Sequence, residues 1–297
     1  MKGLWAQRPL LFQLLVILFL LLTGGLLFTG LAMGISVWLY EVPVNNLALL
    51  LSGTPGSAQH EALLLIQAMG SIGVFAFPAM VGSYLLFNRP EEQLGAQAPN
   101  SGLLVGLILT VILGIAATGP VDLLLRLSQA LPIPGAWETY FANQQVQMEQ
   151  QYRHFLQMNS PLDFTKVLLV MAVIPALCEE LLFRGLLQGL LKRWGIHLAV
   201  WVSAALFASI HGQFYAFLSI LVLGAALGYL RQWSGSLLWP TVLHFVNNAG
   251  IVIQVYFFKA SYDNMDSAAL EVGYLQSALL TMAFVALMAL AYRYFRR

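Results

Sequence analysis

Eight apolar blocks, separated by polar or Gly/Pro-rich segments, govern what this chain can fold into: 10–40, 62–87, 102–119, 164–191, 197–212, 215–230, 237–258 and 270–292. A helix that crosses a bilayer needs about 20 predominantly apolar residues, and only helices and closed barrels satisfy their own backbone in hydrocarbon. The blocks predict an all-α, polytopic transmembrane helix bundle of about eight spans, with the fifth and sixth forming a short hairpin broken at Gly212 and Gln213. Composition excludes a soluble domain, because only 9% of the 297 residues are charged against roughly 25% in soluble proteins. The formal charge of +1 offers no field for nucleic acid. A single cysteine, Cys178, rules out an intrachain disulfide or a thiolate metal cage.

The first block follows Lys2 and Arg8, yet it is far longer than the apolar stretch of about 7 to 15 residues in a signal peptide, so it reads as a retained helix. With eight spans, Lys2, Arg8, Arg89, Lys192, Arg193, Arg231, Arg293, Arg296 and Arg297 all fall on one side, and few basic residues, Arg153 and Lys259 among them, fall on the other. The excess marks the cytoplasmic side. An integral multi-pass protein of the cell's inner (plasma) membrane with both termini cytoplasmic is expected. Residues 137–158 are too polar to span, but Phe141, Met148, Tyr152 and Phe155 recur at helical spacing. They predict an interfacial helix on the non-cytoplasmic side, read as a solvated connector in preference to a lid. Asp122 and Arg126, four residues apart, read as an exposed pair on a short surface helix. His60, His154 and His197 fall at block boundaries and read as interfacial.

Ionisable side chains are costly in hydrocarbon and mark functional interiors, so those inside the later blocks carry the chemistry. The fourth block contains Cys178-Glu179-Glu180 followed by Arg184, the fifth Phe207 through His211, and the seventh His244 through Asn248. Residues four apart stack on one helix face. Glu180 therefore pairs with Arg184, which leaves Glu179, about 100° round the helix, to face something else. His244 shares a face with Asn248, and Phe207 precedes His211 by one turn. Glu179 lies 13 residues before Lys192, His211 14 after His197 and His244 13 after Arg231. At about 1.5 Å per residue all three come to roughly 20 Å from the cytoplasmic boundary. Cys178 reads as a small buried residue, because adjacent helix positions do not face each other.

Together these residues resemble the CAAX-processing and bacteriocin-processing family of intramembrane endopeptidases. Its signature is Glu-Glu-x-x-x-Arg, Phe-x-x-x-His and His-x-x-x-Asn or Asp, on separate transmembrane helices in that order. All three are present, as Glu179-Glu180 with Arg184, Phe207 with His211, and His244 with Asn248, and the resemblance covers about 164–258. It implies hydrolysis of a peptide or membrane-protein substrate of membrane-associated, prenylated or leader type. Glu179 and His211 are implied to activate water, His244 and Asn248 to stabilise the oxyanion, and Glu180, Arg184 and Phe207 to support them. The implied organisation is an N-terminal transmembrane region with the interfacial helix at 1–162, a protease core at 163–258, and a C-terminal transmembrane helix at 259–297.

The family has been described both as metalloprotease and as glutamate-type protease. No cofactor is expected, since His-Glu-x-x-His and thiolate ligands are absent; the alternative is zinc on Glu179, His211 and His244. A transporter would show paired repeats and broken helices in both halves, whereas the ionisable residues here are concentrated in one half. A non-catalytic scaffold has no need of every motif residue. No motif specifies an oligomeric state. A hydrolase inside a bundle must admit water and an extended peptide, so its cavity is expected to open toward the cytoplasmic side or laterally between helices.

Overall fold

The computed structural model describes residues 2–47, 59–95, 102–258 and 273–296; Lys259, Leu270 and Arg297 lie outside them. Within them each apolar block is helical and no strand occurs. The main helices are α1 (Leu10–Leu39), α2 (His60–Leu86), α3 (Leu103–Gln129), α4 (Gly135–Phe155), α5 (161–191), α6 (Ile196–Ile210), α7 (Phe217–Ser234), α8 (Leu238–Phe258) and α9 (Tyr274–Phe295). α1, α2, α3, α8 and α9 are each long and apolar enough to cross a bilayer. The chain is an all-α membrane bundle. Leu11, Leu15, Leu18, Phe19, Leu22 and Leu26 on α1 are exposed, while Gln13, Ile17, Leu20 and Gly24 are buried. That outward leucine face suits lipid and not water.

Small residues let the first two helices touch. A Cβ on Gly24 would lie 2.1 Å from the carbonyl oxygen of Gly73, and one on Gly73 would lie 2.5 Å from that of Gly24. Lipid tails are as apolar as leucine, so such close backbone contact is what drives helix association in a bilayer. Proline explains two irregularities. π-helical turns at Ile72–Ala76 and Leu169–Val173 each end two positions before a proline, Pro78 and Pro175, and the wider turn relieves the clash of each ring with the preceding turn. A third π segment, Leu181–Leu187, has no proline and follows directly on Glu179 and Glu180.

α5 is central and packs against α2, α6, α7 and α8. α6 has 15 residues, or about 22 Å at 1.5 Å per residue, which is less than the roughly 30 Å of a hydrocarbon core. It ends where His211 caps it and Gly212 turns left-handed at φ +65°, a conformation that glycine adopts without a Cβ penalty. The end of α6 is therefore set inside the bundle. α4 lies over it, with Phe141 stacked on Phe214 at 3.9 Å between ring centroids.

The structure corrects the reading of Asp122 and Arg126. α3 continues beyond its bend at Ala117 to Gln129, and its second half packs on α9. The Arg126 Nε to Asp122 Oδ2 pair, 2.9 Å, is largely buried at 28% and 15% side-chain exposure, and Asp122 also accepts from Ser277 Oγ at 2.6 Å. Two groups that can neutralise each other on one face can be covered by a neighbouring helix.

The basic residues gather at one end. Lys2 pairs with Glu91 at 3.2 Å, Arg193 donates to Gln13 at 2.9 Å, and Arg231 donates to the carbonyls of Glu92 and Gln93. α4 occupies the opposite end.

Candidate active site

Glu179, Glu180, Arg184, Phe207 and His244 are all buried, at 9%, 0%, 2%, 1% and 3% exposure. α5 supplies the first three, α6 supplies Phe207 and α8 supplies His244. Arg184 Nη1 donates to Glu180 Oε1 at 2.8 Å, as the i, i+4 spacing predicts, and its Nη2 donates to the carbonyl of Gly224 on α7 at 2.9 Å. Glu180 Oε1 also accepts from His244 Nδ1 at 2.9 Å. This turns His244 so that Nε2 lies 3.8 Å from Glu179 Oε2. Glu179 Oε2 is buried and has no hydrogen-bond partner among the described residues.

Phe207 is the wedge between these groups. Its ring lies 4.7 Å from the His211 ring and 5.6 Å from that of His244, and the Arg184 guanidinium sits 4.4 Å above it. His211 lies within electrostatic reach of Glu179. Its Nδ1 is 2.7 Å from the Phe207 carbonyl. A carbonyl only accepts, so Nδ1 carries the proton and Nε2 is left as the basic nitrogen of the neutral ring. Glu179, Glu180, Arg184, Phe207, His211 and His244 thus form one cluster. Asn248 stands one turn beyond His244, is half-buried, and makes no hydrogen bond with another described residue. Cys178 is buried.

Tyr152 and Gln213 are the residues that sequence reasoning missed. Tyr152 hydrogen-bonds the Gln213 side chain and feels the charge of Glu179. Burial first, and then that charge, push its phenol above the ordinary tyrosine range, and the Gln213 bond opposes them. Tyr152, Gln213, Gln144, Gln129, Asp122 and Arg126 line part of a cavity of about 320 Å³ between α3 and α4, floored by the turn after His211. An apolar groove of about 520 Å³ adjoins it, lined by Leu131, Phe141, Phe214, Phe217 and Leu218. The cavity lies at the α4 end, beside the turn that follows His211, and Glu179, His211, His244 and Asn248 are not among its lining residues.

Two ligands about 2.0 to 2.1 Å from a tetrahedral ion stand roughly 3.3 Å apart, closer than the 3.8 Å between His244 and Glu179. Among the described residues no three His, Cys, Asp or Glu side chains are arranged to hold a metal.

Residues 161–250 match a family model described as Type II CAAX prenyl endopeptidase Rce1-like. This segment is similar to that family. It is the resemblance read from the three motifs, and it contains all seven motif residues named above. The uncharacterized protein YpbD of Bacillus subtilis (strain 168) is 27% identical over 103 residues, 33% of this chain and 51% of that protein. The chain thus spans about half the length of this relative. No solved structure matches.

Proposed function

We propose that the chain is an intramembrane endopeptidase whose core is 163–258 and whose attacking water is activated by Glu179 and His211. The observation that carries this reading is the Glu179 carboxylate: its buried Oε2 has no hydrogen-bond partner among the described residues, and whereas Glu180, whose Oε2 is also unpartnered, is committed through Oε1 to Arg184 and His244, Glu179 is held by neither. An unpaired carboxylate oxygen is costly to bury, and it is the acceptor that a nucleophilic water requires. The water gives its proton to Glu179 or to His211 Nε2 as its oxygen attacks the scissile carbonyl carbon. Negative charge then develops on the carbonyl oxygen, where Asn248 Nδ2 and a protonated His244 Nε2 donate. Glu180 retains the Nδ1 proton of His244. Collapse of the tetrahedral intermediate breaks the C–N bond, and the proton taken from water passes to the leaving amine. No metal takes part in these steps.

The chamber under α4 supplies access. An extended peptide brings a donor and an acceptor per residue, and glutamine amides offer both; the adjoining groove suits apolar side chains or a lipid chain of the same substrate. The basic end faces the cytoplasm at the plasma membrane, which places the chamber on the opposite face. Purified protein in liposomes, incubated with a peptide library, tests the reading through mass spectrometry of new termini. Wild type is expected to create them and Glu179→Gln to create none; equal products from both sink the assignment.

A further inference from the structure

At the basic end, away from the cavity under α4 and on the far side of Arg184, lies a pocket of about 60 Å³ lined in part by Gln93, Arg184, Gln188, Lys192, Arg231 and Gln232. We infer that this pocket binds a single phosphate-class anion, from a lipid headgroup or free in solution. Three of its six named residues are cations. Arg184 has its carboxylate, Glu180. Arg231 has none among the described residues: its Nη2 donates to the backbone carbonyls of Glu92 and Gln93 at 3.2 and 3.0 Å, and its Nε is buried with no hydrogen-bond partner among them. The nearby acids are engaged elsewhere, Glu91 by Lys2 at 3.2 Å and Glu92 by Arg89 at 2.8 Å. Residues 96–101 contain no acid.

A half-buried guanidinium without a counter-charge carries part of the cost of a buried charge, and an anion in the pocket offsets it. The Gln93 and Gln232 amides add neutral donors suited to phosphate oxygens. Carbonyls at the C-terminal ends of α5 and α7 oppose an anion here, and basic residues in last turns ordinarily serve to offset them. That ordinary role explains Lys192, which is exposed. It does not explain Arg231, which lines the pocket and has no carboxylate partner among the described residues. The volume admits one phosphate group and excludes an extended polyanion. An anionic lipid presents such a group at the membrane boundary, where each nearby basic residue contributes about 1 kcal/mol.

The test uses the full chain in detergent, with its melting followed by tryptophan fluorescence. The probes are dioctanoyl phosphatidylglycerol, dioctanoyl phosphatidylcholine and inorganic phosphate. Phosphatidylglycerol is expected to raise the melting temperature saturably and phosphatidylcholine to leave it unchanged. An equal rise with inorganic phosphate assigns the site to the free anion; no rise with it assigns the site to the lipid. Arg231→Gln and Lys192→Gln should each weaken the response about fivefold. Gln232→Glu places a negative charge at the rim and should abolish it, which decides the matter should Arg231→Gln fail to fold. Variants that respond like wild type, or a wild type that responds to neither anion, overturn the inference.

Discussion

Glu180 Oε1 accepts a hydrogen bond from His244 Nδ1 at 2.9 Å across 64 residues of sequence. The same oxygen holds Arg184, so one buried carboxylate orders both a guanidinium and the imidazole whose other nitrogen faces Glu179. Glu180→Gln would leave Arg184 buried without its counter-charge. Breaking a buried pair costs on the order of 3 to 5 kcal/mol, so the variant should melt well below wild type in detergent. A wild-type melting temperature would show that the pair does not hold the core.

Glu179→Gln should behave oppositely. Its Oε2 has no protein donor among the described residues, so the amide removes no hydrogen bond and relieves a buried charge. Melting should be unchanged or raised, while cleavage falls about 10²- to 10⁴-fold with loss of the base. Together the two variants separate the structural carboxylate from the reactive one; parallel losses of stability would refute the distinction.

The eight blocks and the three motifs were legible because hydrophobic period and i, i+4 spacing are properties of one helix at a time. Links between helices were not. Nothing in the spacing of Glu180 or His244 says that they bond, since that depends on the mutual rotation of α5 and α8. Tyr152 was visible as part of an apolar face with Phe141, Met148 and Phe155, but that face read as interfacial. It turns into the bundle because α6 stops at Gly212 and leaves a space for α4 to cover. The Asp122–Arg126 pair misled for the reverse reason: charge suggested exposure, and α9 covers it.

Asn248→Ala tests the oxyanion role. Asn248 bonds no other described residue, so its removal disturbs no network. Loss of one oxyanion donor lowers kcat by about 10²- to 10³-fold, with KM and melting near wild type. A rise in KM alone would make Asn248 a binding group.

Tyr152→Phe removes a hydroxyl that reaches from α4 toward Glu179. One hydrogen bond contributes about 1 kcal/mol, so kcat/KM should fall about fivefold. Burial and the Glu179 charge raise the phenol's pKa, so it stays protonated to higher pH than an ordinary tyrosine. The pH profile of the variant between about pH 6 and 9 should therefore keep the wild-type shape. Loss of an alkaline limb in the variant would reveal a phenolate.

Chelation addresses the choice between a water held by side chains and a metal-bound one. His244 Nδ1 is committed to Glu180, and Nε2 stands 3.8 Å from Glu179, wider than a shared tetrahedral ion allows and suited to an intervening water hydrogen-bonded to both. Activity should survive exhaustive dialysis against EDTA and 1,10-phenanthroline, with less than one zinc per chain by elemental analysis. Glu179→Gln should remain inactive whatever metal is supplied. Activity lost on chelation and restored by one equivalent of zinc would recast Glu179, His211 and His244 as ligands, with Glu179 and His244 closing by about half an ångström around an ion, and would leave Asn248 as the oxyanion donor.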